Sequence, residues 1–167
     1  MVHVYTGDGK GKTTAALGLG MRASGHGYRV CMVQFMKGNM QYGEQRAKLK
    51  NFEIREFGRK EFVNKERPAK VDIEHARKGL KFARRVLTSG DYDLVILDEI
   101  NVALDWKLVN LEDVLALIRD KSPNTELVLT GRYAHPQVME MADYVSEIRE
   151  IKHPFQKGIL SVKGVEH

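Results

Sequence analysis

Three glycines interleaved with two lysines and three threonines form the first group of residues able to do chemistry: Thr6-Gly7-Asp8-Gly9-Lys10-Gly11-Lys12-Thr13-Thr14. A glycine-rich turn that runs straight into a helix exposes several backbone N–H groups. The helix N-terminus adds a partial positive charge, and together they bind phosphate oxygens. Glycines at 7, 9 and 11 let the backbone approach an anion with no Cβ in the way. Lys12 can reach the phosphates as a mobile cation, and the Thr13 hydroxyl can ligate Mg²⁺. The general pattern places a glycine five positions before Gly11, where this chain has Thr6. The loop therefore reads Gly7-x₃-Gly11-Lys12-Thr13, one residue short of that pattern.

A second group follows a continuous apolar run, Leu94–Leu97, which ends in Asp98-Glu99. Carboxylates placed there usually hold Mg²⁺ directly or through water, beside the threonine of the loop. A bare helix N-cap pair would look the same by itself. A third strand end carries Thr130-Gly131-Arg132, whose arginine can bridge phosphates bidentately or stand as a surface residue after a turn. Gln34, Lys37 and Gly38 follow another strand-like run and can line the same cleft. Asn101 either contacts the ligand or caps a helix. No nucleophile–His–acid set is legible, and the six histidines are dispersed without metal spacing. His153, in Lys152-His153-Pro154-Phe155, is as well explained by a structural role as by a functional one. What remains is phosphate chemistry, or a reaction whose reactive atom a cofactor supplies.

These groups need elements to hold them. Val2–Tyr5, Arg29–Phe35, Phe52–Phe57, Leu94–Leu97, Glu126–Thr130, Tyr144–Ile148 and Ile159–Val162 read as strands. Lys12–Ser24, Asp72–Thr88, Leu111–Asp120 and Pro136–Ala142 read as helices. Asp72–Thr88 sets Ala76, Leu80, Ala83 and Leu87 on one face and Arg77, Lys78, Lys81, Arg84 and Arg85 on the other. Alternation of apolar strands with helices predicts an α/β fold, a mostly parallel sheet with helices on both faces. Ligands of such sheets bind at the carboxyl ends of the strands, where every group above lies.

The 167 residues suit one domain, 1–167, with 43% hydrophobic and 29% charged residues. No apolar run reaches the ~20 residues that span a bilayer. Met1–Tyr5 lacks the basic and apolar regions of a secretory leader. Cys31 sits in an apolar run as a reduced core residue, so a cytoplasmic protein is expected. Between Arg46 and Arg85, 14 Lys/Arg face 6 Asp/Glu, a balance of +8 within a net charge of +5. Such a segment attracts polyanions, although a solvated helix face accounts for the charges alone.

The segments VYTGDGKGKTTAALGLGMRASGHGYRV, VQFMKG, YDLVILDEIN, LVLTGR, ADYVSEI, KHPFQKGI and the terminal GVE together resemble the P-loop corrinoid adenosyltransferases. They fall in family order over almost the whole chain, and the shortened loop is itself a feature of that family. The resemblance implies a P-loop NTPase-like fold and transfer of the 5′-deoxyadenosyl group of ATP to the Co(I) centre of a reduced corrinoid, with triphosphate leaving. It also implies Mg²⁺ or Mn²⁺, a homodimer and a Co(II) reductase as partner; no membrane is expected from the apolar runs, and nucleic acid is the less favoured polyanion. ATP would sit on Thr6–Thr14 with Arg132, its C5′ turned toward the acceptor. Lys12, Thr13 and Glu99 would be catalytic, and Thr13, Asp98 and Glu99 would hold the metal. Phe62, Gln34, Lys37 and Asn101 would meet the corrinoid.

Such a reaction needs no general base, because Co(I) is already a strong nucleophile. The protein places C5′ in line with cobalt and stabilises charge on the leaving triphosphate, each lost contact costing about 3–4 kcal/mol of barrier. Two departures from the family stand out. Many members carry a Gly-Phe-x-Trp-like stretch where this chain has Phe57-Gly58-Arg59-Lys60-Glu61-Phe62-Val63-Asn64, so Phe62 is either the substitute aromatic or a core residue. Well-known members also extend further before the first strand. Three rivals stay open: a P-loop nucleotide kinase, a nucleic-acid-stimulated ATPase, and a protein that only senses or carries adenosylcobalamin.

Overall fold

The structure is a computed structural model that describes residues 1–38, 42–158, 162, 164 and 165, without the side chain of Phe155. In chain order the elements are β1 (Val2–Thr6), α1 (Lys12–Gly25), β2 (Val30–Phe35), α2 (Gly43–Arg46), β3 (Phe52–Phe57), α3 (Lys70–Ser89), β4 (Leu94–Asp98), α4 (Ile100–Asp105), α5 (Leu111–Asp120), β5 (Glu126–Thr130), α6 (Pro136–Glu140), β6 (Tyr144–Glu147) and a 3₁₀ turn (Pro154–Lys157). The six strands form one sheet in the order β3-β2-β4-β5-β1-β6, and every neighbouring pair is parallel.

The apolar runs explain the order. β2 and β4 are buried at every residue and lie in the interior of the sheet, as strands covered on both faces must be. Alternate side chains divide between two cores. Val30, Met32, Leu94, Ile96 and Val128 meet α1 through Ala16 and Leu17. Cys31, Val33, Phe35, Val95, Leu97, Leu127 and Leu129 point the other way, into the larger core with Ala83, Leu87, Val114 and Ile118 from α3 and α5. Helices therefore cover both faces, as expected. β6 is an exposed edge.

α3 buries the apolar stripe read from its sequence. Its carboxylate at Asp72 accepts a bond from the Ala69 N–H (3.0 Å), and left-handed Gly90 (φ 73°) closes its far end. Several boundaries differ from expectation. The strand expected from Arg29 begins at Val30, the helix expected from Asp72 begins at Lys70, and the helix expected to Ala142 ends at Glu140. α2, α4 and the 3₁₀ turn are too short to show periodicity and were not expected. Of the last expected strand, residues 159–161 lie outside those described.

Candidate active site

The chemistry gathers where β1, β2, β4 and β5 end. Between β1 and α1 the chain turns through Gly7 (φ 97°) and Gly11 (φ 121°), conformations that favour glycine. A Cβ on Gly7 would run into the carbonyl of Ile148. The loop is stitched to the chain after β6: the Gly9 N–H donates to Ile148 O (2.8 Å), and the Glu150 N–H donates to Asp8 Oδ1 (3.0 Å). The bond from the Glu150 N–H is the main reason the Asp8 carboxyl lies below its ordinary range. Thr6 is buried and accepts a bond from the Ala134 N–H (3.2 Å). No side chain caps α1, whose N-cap is Gly11. Its first N–H groups are thus left for an outside acceptor.

Lys12 is 7% exposed and bends back to donate to Gly9 O (2.6 Å). Burial, then the neighbouring Arg132, lowers its pKa, while Glu99 and Asp8 pull the other way. Such a cation gains most from an added anion. Arg132 is exposed, with no ion pair among the described residues. Gly9, Lys10, Gly11, Lys12, Thr13, Thr14, Glu99 and Arg132 share a cavity of about 460 Å³, and Met36, Val102, Trp106, His153 and Val165 complete its wall. A second cavity of about 560 Å³ adjoins it through Thr13, Thr14 and Glu99 and is walled by Lys37, Tyr42 and Glu44. A larger cavity, about 810 Å³, lies between α1 and β3 and is mostly apolar. It touches the loop only at Thr14, whereas the two smaller ones carry Thr13, Thr14 and Glu99.

Behind the loop, Asp98 is fully buried and saturated. Its Oδ1 accepts from the Thr13 hydroxyl (2.8 Å) and the Thr130 hydroxyl (2.7 Å). Its Oδ2 accepts from Lys37 Nζ (2.8 Å) and Gln34 Nε2 (3.2 Å). Burial alone would depress the Lys37 pKa, but the charge and hydrogen bond of Asp98 outweigh it and hold the ammonium above its ordinary range. Glu99 differs from Asp98. It sits in the left-handed region (φ 63°) immediately before α4, and its N–H donates to Thr130 Oγ1 (3.0 Å). Burial first, then the charge of Asp98, raises its pKa despite Lys37, Lys12 and Arg132. A carboxylate in that condition has unspent capacity for a cation.

The other candidates lie as follows. Gln34 and Asn101 are fully buried. The Gln34 amide also reaches Glu44 Oε1 (3.2 Å), and the Asn101 amide donates to Gly131 O (3.4 Å). Any part they play in acceptor binding is played through the groups they hold. Asn101 lies inside α4 and not at its cap. Phe62 is 90% exposed, which excludes the core reading. It sits on a stretch pinned by Arg59 Nε to Asp72 (2.6 Å) and by Lys65 Nζ to Asp105 (3.0 Å). The part played by Thr130, read only as the start of Thr130-Gly131-Arg132, was missed, and so was Glu44. Thr130 had a signal, a hydroxyl closing an apolar strand beside the phosphate loop; Glu44 had none.

The profile of the family described as ATP:corrinoid adenosyltransferase BtuR/CobO/CobP matches residues 1–167. A corrinoid adenosyltransferase of Escherichia coli K12 is 34% identical over 170 residues, covering 100% of this chain and 85% of that protein. One from Pseudomonas aeruginosa PAO1 is 40% identical over 166 residues, covering 98% and 81%. Among solved structures, the type III secretion ATPase EscN of enteropathogenic E. coli aligns with a TM-score of 0.46 at 13% identity, over 94% of this chain and 44% of that one. So loose a likeness decides nothing about the site.

Proposed function

The chain belongs to the ATP:corrinoid adenosyltransferase family and is a transferase that adenosylates corrinoids at the expense of ATP in cobalamin biosynthesis, and we propose that the cavity behind Gly7–Thr14 seats the triphosphate of that ATP. The observation that carries this reading is the convergence of Lys12, Arg132, Thr13 and the uncapped start of α1 on one polar cavity. The tail lies along the loop amides, with Lys12 exchanging Gly9 O for a phosphate oxygen. C5′ is then held for in-line attack by the reduced cobalt, whose electron pair forms the Co–C bond. The C5′–O bond breaks, and its electrons leave with the triphosphate. Lys12, Arg132 and the loop amides stabilise that charge, and water has no part in the transfer.

A magnesium or manganese ion fits the donors present. Among the described residues no three His, Cys, Asp or Glu gather to hold a metal by themselves. An ion held partly by phosphate oxygens asks only for the Thr13 hydroxyl and the Glu99 carboxylate, an all-oxygen set. When bound it would neutralise charge on the triphosphate. Asp98, with both oxygens engaged, orients Thr13 from behind. On the acceptor side, Phe62 is the aromatic for the lower face of the corrin, whereas Lys37, beneath the adjoining cavity, is tied to Asp98.

We also propose a homodimer, a Co(II) reductase as partner, and a cytoplasmic setting. Co(I) must be generated by an electron donor, and ATP is a cytoplasmic reagent. Among the described residues no helix is long and apolar enough to cross a membrane. Burial pushes the Cys31 thiol up to about 12, so it stays protonated and inert. The test is incubation with ATP, Mg²⁺ and chemically reduced cobalamin. Light-sensitive Co–C product with one triphosphate per turnover is expected; release of ADP instead would overturn the reading. Lys12→Ala should abolish turnover and leave the circular dichroism unchanged, and normal adenosylation by that variant would remove Lys12 from the site.

A further inference from the structure

We infer that Lys37 is a positioning residue of the transfer reaction, acting through Asp98 to fix the Thr13 hydroxyl at the triphosphate seat. The inference rests on the reading of that seat given above and assigns to Lys37 work that does not require contact with either substrate.

The geometry leads there step by step. Asp98 is the joint between four chain segments, since its donors come from α1 (Thr13), β2 (Gln34), the turn after β2 (Lys37) and the end of β5 (Thr130). It is 0% exposed, so its negative charge has no solvent to screen it. Among the described residues, Lys37 supplies the one full positive charge at hydrogen-bond distance, 2.8 Å, from a side chain only 17% exposed. The Tyr42 ring stands 5.0 Å from the same ammonium and supports it from the cavity side.

The backbone around Lys37 is built for this. Met36 takes a left-handed turn (φ 59°) immediately after β2, and Gly38 packs so tightly on Gly58 that no Cβ fits between them. The turn folds the lysine back beneath the cavity toward the carboxylate. Thr130 completes the joint, donating to Asp98 and accepting the N–H of Glu99. Loss of the Lys37 charge therefore loosens the carboxylate that holds Thr13, and the effect is transmitted through Asp98. A lysine meeting the anion directly, or attracting it through space, would act with Asp98 present or neutralised alike.

Calorimetric titration with inorganic tripolyphosphate and Mg²⁺ separates these cases without turnover. Lys37→Met should weaken tripolyphosphate binding about tenfold or more in the natural background, but no more than about threefold in an Asp98→Asn background, as coupled neighbours do. Lys37→Arg, which keeps the ion pair, should stay within about threefold of the natural protein. In steady-state assays of Lys37→Met, kcat and the KM for ATP should change and the KM for the corrinoid should not. Equal losses in both backgrounds, no loss in either, or a change confined to the corrinoid KM would overturn the inference. If Lys37→Met alone is too unstable to titrate, Asp98→Asn against the double variant decides: matching affinities support the inference, and a tenfold gap overturns it. Failure of the natural protein to bind tripolyphosphate would instead strike at the seat itself.

Discussion

Replacing Asp98 by alanine removes one small side chain and strands four donors. The Thr13 and Thr130 hydroxyls, the Gln34 amide and the Lys37 ammonium all end on its two oxygens. The hydroxyls can turn to other acceptors at small cost. Lys37 loses the carboxylate it is hydrogen-bonded to, and its side chain is only 17% exposed. Removing one member of such a pair leaves an uncompensated charge and costs about 3–5 kcal/mol. Against a total stability of about 5–15 kcal/mol this is a large fraction. At this chain length each kcal/mol lowers the melting temperature by about 2–4 °C, so Asp98→Ala should melt about 6–20 °C below the natural protein. The double variant Asp98→Ala, Lys37→Met should recover most of that loss, because no charge is left buried. Thermal melts followed by circular dichroism at neutral pH, without nucleotide, read both numbers. An Asp98→Ala protein that melts within about 2 °C of the natural one, or a double variant no more stable than the single, would refute the argument that Lys37 and Asp98 depend on each other.

Glu99→Gln should abolish adenosylation and yet raise the melting temperature of the nucleotide-free protein. The folded pKa of Glu99 lies above the ordinary 4.5, so its ionisation opposes folding. The gain should be absent below that value, grow as pH rises through the interval up to the folded pKa, and then level off; a variant no more stable at any pH would refute the assignment. For Asp72 the sign is opposite. The hydrogen bond from Arg59 lowers its pKa from the ordinary 3.8, so the stability it adds is complete above that value and is lost as pH falls through the folded pKa. Denaturant unfolding of Asp72→Asn should therefore converge on the natural protein in acid, with the corrinoid KM raised at neutral pH because the stretch bearing Phe62 is no longer pinned; an undiminished gap in acid would count against this. Gly7→Ala puts a Cβ at left-handed φ against the Ile148 backbone, and triphosphate binding should fall more than tenfold while Glu126–Thr130 and the rest of the sheet keep their hydrogen-exchange protection. Unimpaired triphosphate binding by that variant would show that the loop does not need its observed turn.

The phosphate loop, the acid pair and the strands that carry them were legible because each is a local pattern. Gly7 to Thr13 is contiguous, and burial on both sheet faces demands the unbroken apolar runs of β2 and β4. Partnerships across the sheet were not legible. Thr13 and Lys37 meet Asp98 from 85 and 61 residues away, and no spacing rule connects them. Gln34, inside β2, and Lys37, just past its end, were expected to meet the acceptor from the family resemblance and their place at a strand end. One is fully buried behind the site and the other is tied to Asp98.

From the order of its residues alone, this chain determines a parallel sheet, a short phosphate loop and the family to which it belongs, because backbone geometry and the two-residue period of strands act over neighbouring positions. Which carboxylate is saturated and which is left underpaired was decided only by tertiary structure. Asp98 and Glu99 are adjacent in sequence, but the left-handed turn at Glu99 sends one side chain into four donors and leaves the other at the cavity wall. Desolvation and charge pairing depend on distance in space, and only the closed sheet sets those distances.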